Sequence, residues 1–177
     1  MSDAQRAYEA REFGSVAPGG GAIPRERIDA LLREAKVVAL ATTDDDGYPY
    51  QVPIWVDWDG REAWLVTRAK AAFMGHIQAR PRVSLLRLEG LEGAAANTRI
   101  QVVGDAEIVA GPGPLAPGER MFEVALRLAT RYQGAEIAAR YIERTREWPR
   151  CLVRIRPIRI VSWDHHDWHP RYRGDQG

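Results

Sequence analysis

Residues 66–86, VTRAKAAFMGHIQARPRVSLL, carry most of the information about the fold. They predict a strand that ends at Thr67, a short Ala-rich helix that Pro81 ends, and a further strand after it. Arg68 and Lys70 lie between the first strand and the helix N-terminus. A helix N-terminus carries a partial positive charge and unpaired backbone N–H groups. The stretch therefore favours binding of an anionic phosphate group.

The bulk composition is that of one folded domain. The chain has 177 residues, of which 45% are hydrophobic and 28% charged. This length is sufficient for one domain with a hydrophobic core and is short for two such domains. The formal net charge of +1 gives no attraction of the whole molecule to nucleic acid or membrane. Cys151 is the single cysteine, which excludes an intrachain disulfide and indicates a reducing compartment. With no apolar run of about 18 residues and no leader pattern, the prediction is a cytoplasmic protein.

The chain divides into three segments. Residues 1–22 lack apolar periodicity, which predicts a flexible N-terminal arm, either a mobile tail or an arm that embraces a partner. Residues 23–164 are predicted to form the folded domain. Residues 165–177 form a tail rich in His and Trp.

Upstream of the opening stretch the patterns alternate between helix and strand. Residues 23–35, IPRERIDALLREA, predict an amphipathic helix, and residues 37–43 predict a mostly buried strand. Residues 44–49, DDDGYP, are typical of a turn. Residues 50–58 and 63–67 are β-branched and aromatic and are separated by Asp-Gly, which predicts a hairpin.

Downstream, residues 98–110 predict a long strand in which Gly104 favours a bulge or bend. Residues 111–118, GPGPLAPG, predict a connector without helix. Residues 119–147 have a helical pattern, and Gly134 is expected to divide it into two helices.

The last patterned segment, residues 151–164, predicts one or two strands, with Pro157 at a sheet edge or a strand start. About six meandering strands with helices inserted between them indicate a small closed or split β-barrel.

This ordered set of motifs resembles the pyridoxamine 5'-phosphate oxidase-like split β-barrel family, whose members bind flavin or deazaflavin. The resemblance covers about residues 24–164. It implies a mainly β fold with helices (α+β), a six-stranded antiparallel split β-barrel of the FMN-binding type. It also implies a homodimer, because such barrels build the cofactor site from two chains.

The resemblance also assigns cofactor contacts by position. The strand that lies against the flavin ring matches Gln51, Val52, Pro53, Ile54, Trp55 and Val56. The strand end that meets the ribityl chain and phosphate matches Val66 and Thr67. For Trp55, packing in the core is a competing interpretation.

One part of the family pattern is missing. The loop that supplies a Ser or Arg and a Lys to the phosphate matches Ala71, Ala72 and Phe73, so an apolar Phe73 stands where the usual Lys would be. Arg68 and Lys70 are the residues that could substitute, unless both are simply solvated.

Further contacts are implied from later strands. The family's polar position near the flavin ring matches Arg99, with Gln101 on the same face. An arginine there would stabilise the anionic reduced flavin, although Arg99 could equally be an exposed strand residue. Trp163 and Arg159 are possible counterparts of residues that some members offer from the second subunit.

Metal binding and nucleophilic catalysis are not predicted. His165, His166 and His169 have imidazole side chains but no spacing typical of a closed metal site, so a lid or strap over the cleft is the preferred interpretation. Cys151 opens a predicted strand, where a buried thiol is expected. No residue is predicted to be catalytic.

The resulting hypothesis is an FMN-dependent oxidoreductase, a cytoplasmic homodimer that passes a hydride or electron pair to or from a small organic substrate. An F420 (deazaflavin)-dependent reductase of the same fold is the first alternative. A non-catalytic binding protein for haem or another small ligand is the second, because of Phe73 and the terminal histidines. Neither nucleic acid nor membrane is an expected partner, and the sequence does not identify the substrate.

Overall fold

The computed structural model describes residues 14–15, 23–34, 37–89 and 98–163. The strands within them are β1 (Gly14–Ser15), β2 (Val38–Thr43), β3 (Pro49–Ile54), β4 (Asp57–Trp58), β5 (Ala63–Arg68), β6 (Arg82–Glu89), β7 (Thr98–Gly113) and β8 (Arg150–Trp163). The helices are α1 (Arg25–Arg33), α2 (Ala72–Ala79), α3 (Arg120–Gln133) and α4 (Ala135–Thr145).

The strands form one sheet with the order β3-β2-β6-β7-β8-β5-β4. All neighbours on this path are antiparallel, and β1 adds a short parallel pairing to β8. The α+β prediction is confirmed. The prediction of six strands is wrong, because in the described part of the chain the path has seven strands and stays open, with β3 and β4 at its ends.

The extra strand arises because the predicted strand at residues 50–58 is divided. Its first part, β3, pairs with β2, whereas β4 pairs with β5. At the break, Trp55 stacks on Tyr132 of α3, with ring centroids 4.8 Å apart. The Val56 backbone N–H donates to the Tyr132 hydroxyl at 3.3 Å, so a side chain takes the place of a strand partner. Burial raises the pKa of the Tyr132 hydroxyl above its ordinary value.

The sheet has a core on each of its two faces. Between the sheet and helices α1 and α2 lies a large apolar cluster. A second cluster fills the space between the outer face of β5 and β8 and the α3–α4 pair. Because strand side chains alternate, Cys151 and Val153 of β8 face the first cluster, whereas Leu152 faces the second.

A bulge lies at the centre of the sheet. Gly104 of β7 is opposite Pro157 of β8, and the register shifts between Val103 and Gly104, which confirms the predicted irregularity. Pro157 is inside β8 and not at a strand start, but β5 pairs with β8 only from Arg150 to Ile155, so among the described residues Pro157 pairs with β7 alone and lies at a local edge, as expected. Proline is accommodated there because a bulge relieves the need for a ladder N–H.

The remaining boundaries follow the sequence closely. Gly134, with φ of +84°, separates α3 from α4 as predicted. The predicted connector at residues 111–118 is shorter than expected, because β7 continues to Gly113. Of residues 1–22 only 14–15 are described, and the predicted tail at residues 165–177 lies outside the described residues, so both remain predictions.

No helix in the described ranges is both long enough and apolar enough to span a bilayer.

We expect the Cys151 thiol to react with a thiol-specific reagent on the order of a hundredfold more slowly in the native protein than in the unfolded chain. The side chain is 4% exposed, and burial raises the pKa of the thiol, so little thiolate is accessible. Because the chain has one cysteine, labelling rates in buffer and in denaturant report on this site alone. Equal rates would contradict the packing of Cys151 in the first core.

Candidate functional site

An open cleft of about 580 Å³ lies where β3, the end of β5, the start of α2 and the start of β8 meet. The residues that line it are Val52, Pro53, Ile54, Val66, Thr67, Arg68, Lys70, Ala71, Phe73 and Arg150. Most residues that the sequence predicted to contact a cofactor therefore lie around one cavity, although they come from separate segments of the chain.

The predicted strand–turn–helix unit forms one wall of the cleft. β5 ends at Arg68, and the Ala71 N–H donates to the Arg68 carbonyl at 3.0 Å to close a turn. Helix α2 then begins at Ala72, and no side chain caps its N-terminus. The Ala69 N–H donates to the Pro149 carbonyl at 3.0 Å, which ties this turn to the residues just before β8.

Phe73 is part of the core as well as of the cleft wall. Its side chain is 4% exposed and packs in the first cluster. It presents apolar surface at the position where the family pattern has a lysine. The charge at this end of the cleft therefore comes from other residues.

Two arginines face each other at the mouth of the cleft. Arg68 and Arg150 are directly opposite across the β5–β8 ladder. Their guanidinium carbons lie 4.7 Å and 5.9 Å from the centroid of the same Trp148 ring. An adjoining groove of about 340 Å³, lined by Arg68, Ala69, Lys70, Trp148 and Pro149, extends the cleft past this ring.

Arg150 is the buried member of this group. It is 5% exposed, and its Nη2 donates to the Tyr141 hydroxyl and to Thr145 Oγ1, both at 3.0 Å. Its Nε is buried and has no hydrogen-bond partner in the described ranges. Among the described residues, no carboxylate lies within ion-pair distance of Arg68, Lys70 or Arg150.

Arg150 was not identified from the sequence. It opens β8, and only the cross-strand register shows that it is opposite Arg68. The signal in the sequence was weak: a Trp-Pro-Arg tripeptide that ends a helical segment and begins a strand.

Two predicted contacts on β3 and after it do not line the cleft. Gln51 is exposed, on the opposite side of the strand from Val52. Trp55 packs against Tyr132 and the second core, in agreement with the competing interpretation of core packing.

Within one chain, the contacts predicted on β7 and β8 do not line the cleft. Arg99 and Gln101 pair with Trp163 and Val161, at the end of β8 opposite to Arg150. Gln101 Nε2 donates to Ser84 Oγ at 3.0 Å. Trp163 is described by its backbone alone, and Arg159 pairs with Val103 in the same half of the strand.

The predicted His-rich tail, with His165, His166 and His169, lies outside the described residues. Within the part of the chain that is described, no group of three or more His, Cys, Asp or Glu side chains could hold a metal ion.

The geometry of the cleft suits one kind of ligand. Its strand walls are apolar at Val52, Ile54 and Val66, and the cations lie at one end. A planar apolar ring with an anionic tail has the complementary shape and charge.

Comparison with known families and structures agrees with this architecture. The sequence profile of the family described as Pyridoxamine 5'-phosphate oxidase matches residues 24–163. The comparison with curated protein sequences gave no match.

Several solved structures are similar. The conserved hypothetical protein Rv2991 from Mycobacterium tuberculosis is 28% identical, with a TM-score of 0.63 over 81% of this chain and 86% of that one. A structure named F420 Reductase is 25% identical, with a TM-score of 0.56 over 75% of this chain and 94% of that one. The haem storage protein HutZ from Vibrio cholerae is 20% identical, with a TM-score of 0.57 over 75% and 88%. At that identity the likeness to HutZ bears on the fold alone.

Proposed function

The chain belongs to the pyridoxamine 5'-phosphate oxidase family, and from this premise we propose that it is an oxidoreductase that binds a flavin-type cofactor in the cleft of about 580 Å³. The observation that carries the proposal is the convergence of apolar strand residues with Arg68, Lys70 and Arg150 around one cavity. Once bound, the cofactor supplies hydride or electron-pair transfer to or from a small organic substrate.

In this proposal, apolar residues of the cleft bind the ring of the cofactor and cationic residues bind its phosphate. Val52, Ile54 and Phe73 offer apolar surface against which a planar ring packs and from which water is excluded. Arg68 and Lys70 donate charge-assisted hydrogen bonds to a phosphate, which neutral side chains cannot replace. The uncapped N-terminus of α2 lies beside them and favours the same charge.

Among cofactors of this class we place F420 first and FMN second. The groove beyond Trp148 extends the basic surface past the phosphate position, which suits a longer cofactor with additional anionic groups. The likeness to the F420 Reductase structure supports the same order. FMN is supported by the order of motifs along the chain, although Phe73 removes the usual phosphate lysine.

A second copy of the chain completes the site in this proposal. Arg99 and Gln101 belong to β7, pair with the end of β8 opposite to Arg150 and do not line the cleft, so in this proposal they reach the cofactor from a partner protomer. Val37 and Leu88 are exposed beside them, at 53% and 49%, and offer apolar surface for such an interface.

The absorbance spectrum of freshly purified protein, followed by titration with FMN, F420 and haemin, tests the proposal. Trp148 is 41% exposed beside Arg68, so its fluorescence should be quenched when the cleft fills. Saturable quenching by F420 or FMN would support the oxidoreductase and rank the two cofactors. Response to haemin alone would favour a haem-binding protein, and no response to any of the three would contradict the proposal.

The variant Arg68→Ala with Lys70→Ala should bind the preferred cofactor at least about tenfold more weakly, which corresponds to about 1.4 kcal/mol. The loss follows from removing two donors that face the phosphate. Arg82→Ala with Arg156→Ala is the matched control, because it removes the same charge from exposed positions outside the cleft. An equal loss in both variants would show a general charge effect, and no loss in the first would remove Arg68 and Lys70 from the site.

A further inference from the structure

We infer that Arg150 is the residue by which the cleft recognises a phosphoryl group, and that it takes the place of the lysine that Phe73 replaces. The inference rests on the proposed function for the identity of the ring that the phosphoryl group accompanies. The anion site itself rests on contacts among the described residues.

The positive charge of Arg150 is buried, and no carboxylate among the described residues compensates it. Arg150 is 5% exposed, and within the described part of the chain its Nε has no acceptor and its hydrogen-bond partners are the neutral hydroxyls of Tyr141 and Thr145. A buried cation without a counter-charge is costly for a fold. An anion in the cleft is the group that would supply the missing counter-charge.

Two positive charges, those of Arg68 and Arg150, lie next to each other on neighbouring strands. Arg68 and Arg150 are directly opposite across two strands, an arrangement that destabilises a sheet when the charges are alike. The face of the Trp148 ring lies within 6 Å of both guanidinium carbons and offsets part of this repulsion. The quadrupole of the ring is weaker than a full negative charge. We therefore infer that an anion between the two arginines neutralises the remaining repulsion.

Two hydroxyl groups of α4 hold the guanidinium of Arg150 in position. Thr145 Oγ1 donates to the Tyr141 carbonyl at 2.9 Å and is therefore oriented to accept from Arg150. The Tyr141 hydroxyl holds the same Nη2 from the preceding turn of α4. A side chain that is already ordered loses little rotamer entropy when it binds a ligand.

A phosphoryl group is the anion that matches these donors. The planar guanidinium presents several N–H groups in a fork that fits phosphate oxygens, and Arg68 adds a second such fork across the ladder. Lys70 contributes a point charge at the rim of the same cavity.

The test compares ligands with and without the phosphoryl group. For the wild-type chain, FMN should bind more tightly than riboflavin, and F420 more tightly than its riboside without the phosphate-bearing tail. In Arg150→Met, this preference should fall on the order of tenfold to a hundredfold, while the affinity for riboflavin or the deazaflavin riboside stays unchanged. Arg156→Met, an exposed arginine on the same strand, is the control and should keep the full preference. An undiminished preference in Arg150→Met would overturn the inference.

Thermal unfolding with inorganic pyrophosphate gives a readout that needs no cofactor. Pyrophosphate should raise the Tm of the wild-type chain but not that of Arg150→Met. Without ligand, the variant should be at least as stable as the wild type, because a buried charge is gone.

If Arg150→Met does not fold, Tyr141→Phe tests the inference instead, because loss of one hydroxyl that holds Nη2 should partially reduce the preference for the phosphorylated ligand. An unchanged preference in Tyr141→Phe would then overturn the inference.

The two proposals fail in different ways. Binding of riboflavin or the deazaflavin riboside with no preference for the phosphorylated form, and no response to pyrophosphate, would overturn the role of Arg150 and leave the flavin cleft supported. Stabilisation by pyrophosphate through Arg150 without binding of any flavin would support the anion site and overturn the proposed cofactor.

Discussion

Alanine in place of Gly104 should lower the free energy of unfolding by about 3 kcal/mol, at the upper end of what an overpacked position costs. A Cβ atom there would overlap the carbonyl oxygen of Arg156 and lie 2.9 Å from its carbonyl carbon. Both are backbone atoms of β8, so no side-chain rotation relieves the contact. The strain would fall on the β7–β8 ladder, the longest pairing in the sheet.

Gly75→Ala is the matched control for this experiment. Gly75 lies within α2, and a Cβ there has no heavy atom within 4 Å. Alanine should raise stability there by about 0.5–1 kcal/mol, because glycine is the poorer helix former. Urea unfolding of the two variants should therefore give changes of opposite sign. A loss at Gly104 no greater than the change at Gly75 would contradict the close approach of β7 and β8.

The second large effect is expected at Asp57, where alanine should lower the free energy of unfolding by about 2 kcal/mol. Asp57 is 4% exposed. Its carboxylate accepts hydrogen bonds from Arg127 Nε at 3.0 Å and from Arg131 Nη2 at 2.7 Å. Both arginines belong to α3, so Asp57 holds this helix against β4. The expected loss is less than for a fully buried pair, because half of the Arg127 side chain is exposed and can be hydrated.

Glu136→Ala provides the comparison, because Glu136 and Arg140 also form an ion pair with a distance of 2.7 Å. Both side chains are largely exposed, so removal of this pair should change stability by no more than about 0.5 kcal/mol. Chemical denaturation, followed by the fluorescence of the tryptophans, measures both variants. Similar losses in the two would show that burial of Asp57 adds nothing to the interaction.

Local patterns in the sequence predicted the elements that depend on neighbouring residues. The unit at residues 66–86 is strand, turn and helix, as its apolar spacing and Pro81 indicated. Gly47 has a positive φ within the predicted turn, and Gly134 has one at the predicted helix boundary. These features form within a few residues, so composition and periodicity are enough to predict them.

The features that local patterns did not predict share a different cause. The break after Ile54 depends on a hydroxyl and a ring from Tyr132, far along the chain. Pro157 lies within β8 and not at its start, and Gly104 is opposite to it across a register shift. In each case a distant residue supplies the group that makes the local structure acceptable, and no pattern within the segment records it.

The candidate site shows the same division. By itself the sequence determined the strand end, the turn with Arg68 and Lys70, the start of α2 and the apolar Phe73 where a lysine was expected. Only the tertiary structure brought Arg150 opposite Arg68, placed Trp148 against both and, among the residues it describes, left the buried guanidinium without a carboxylate. The physical reason is that secondary structure follows from interactions between near neighbours, whereas the charge balance of a cleft depends on which strands pair.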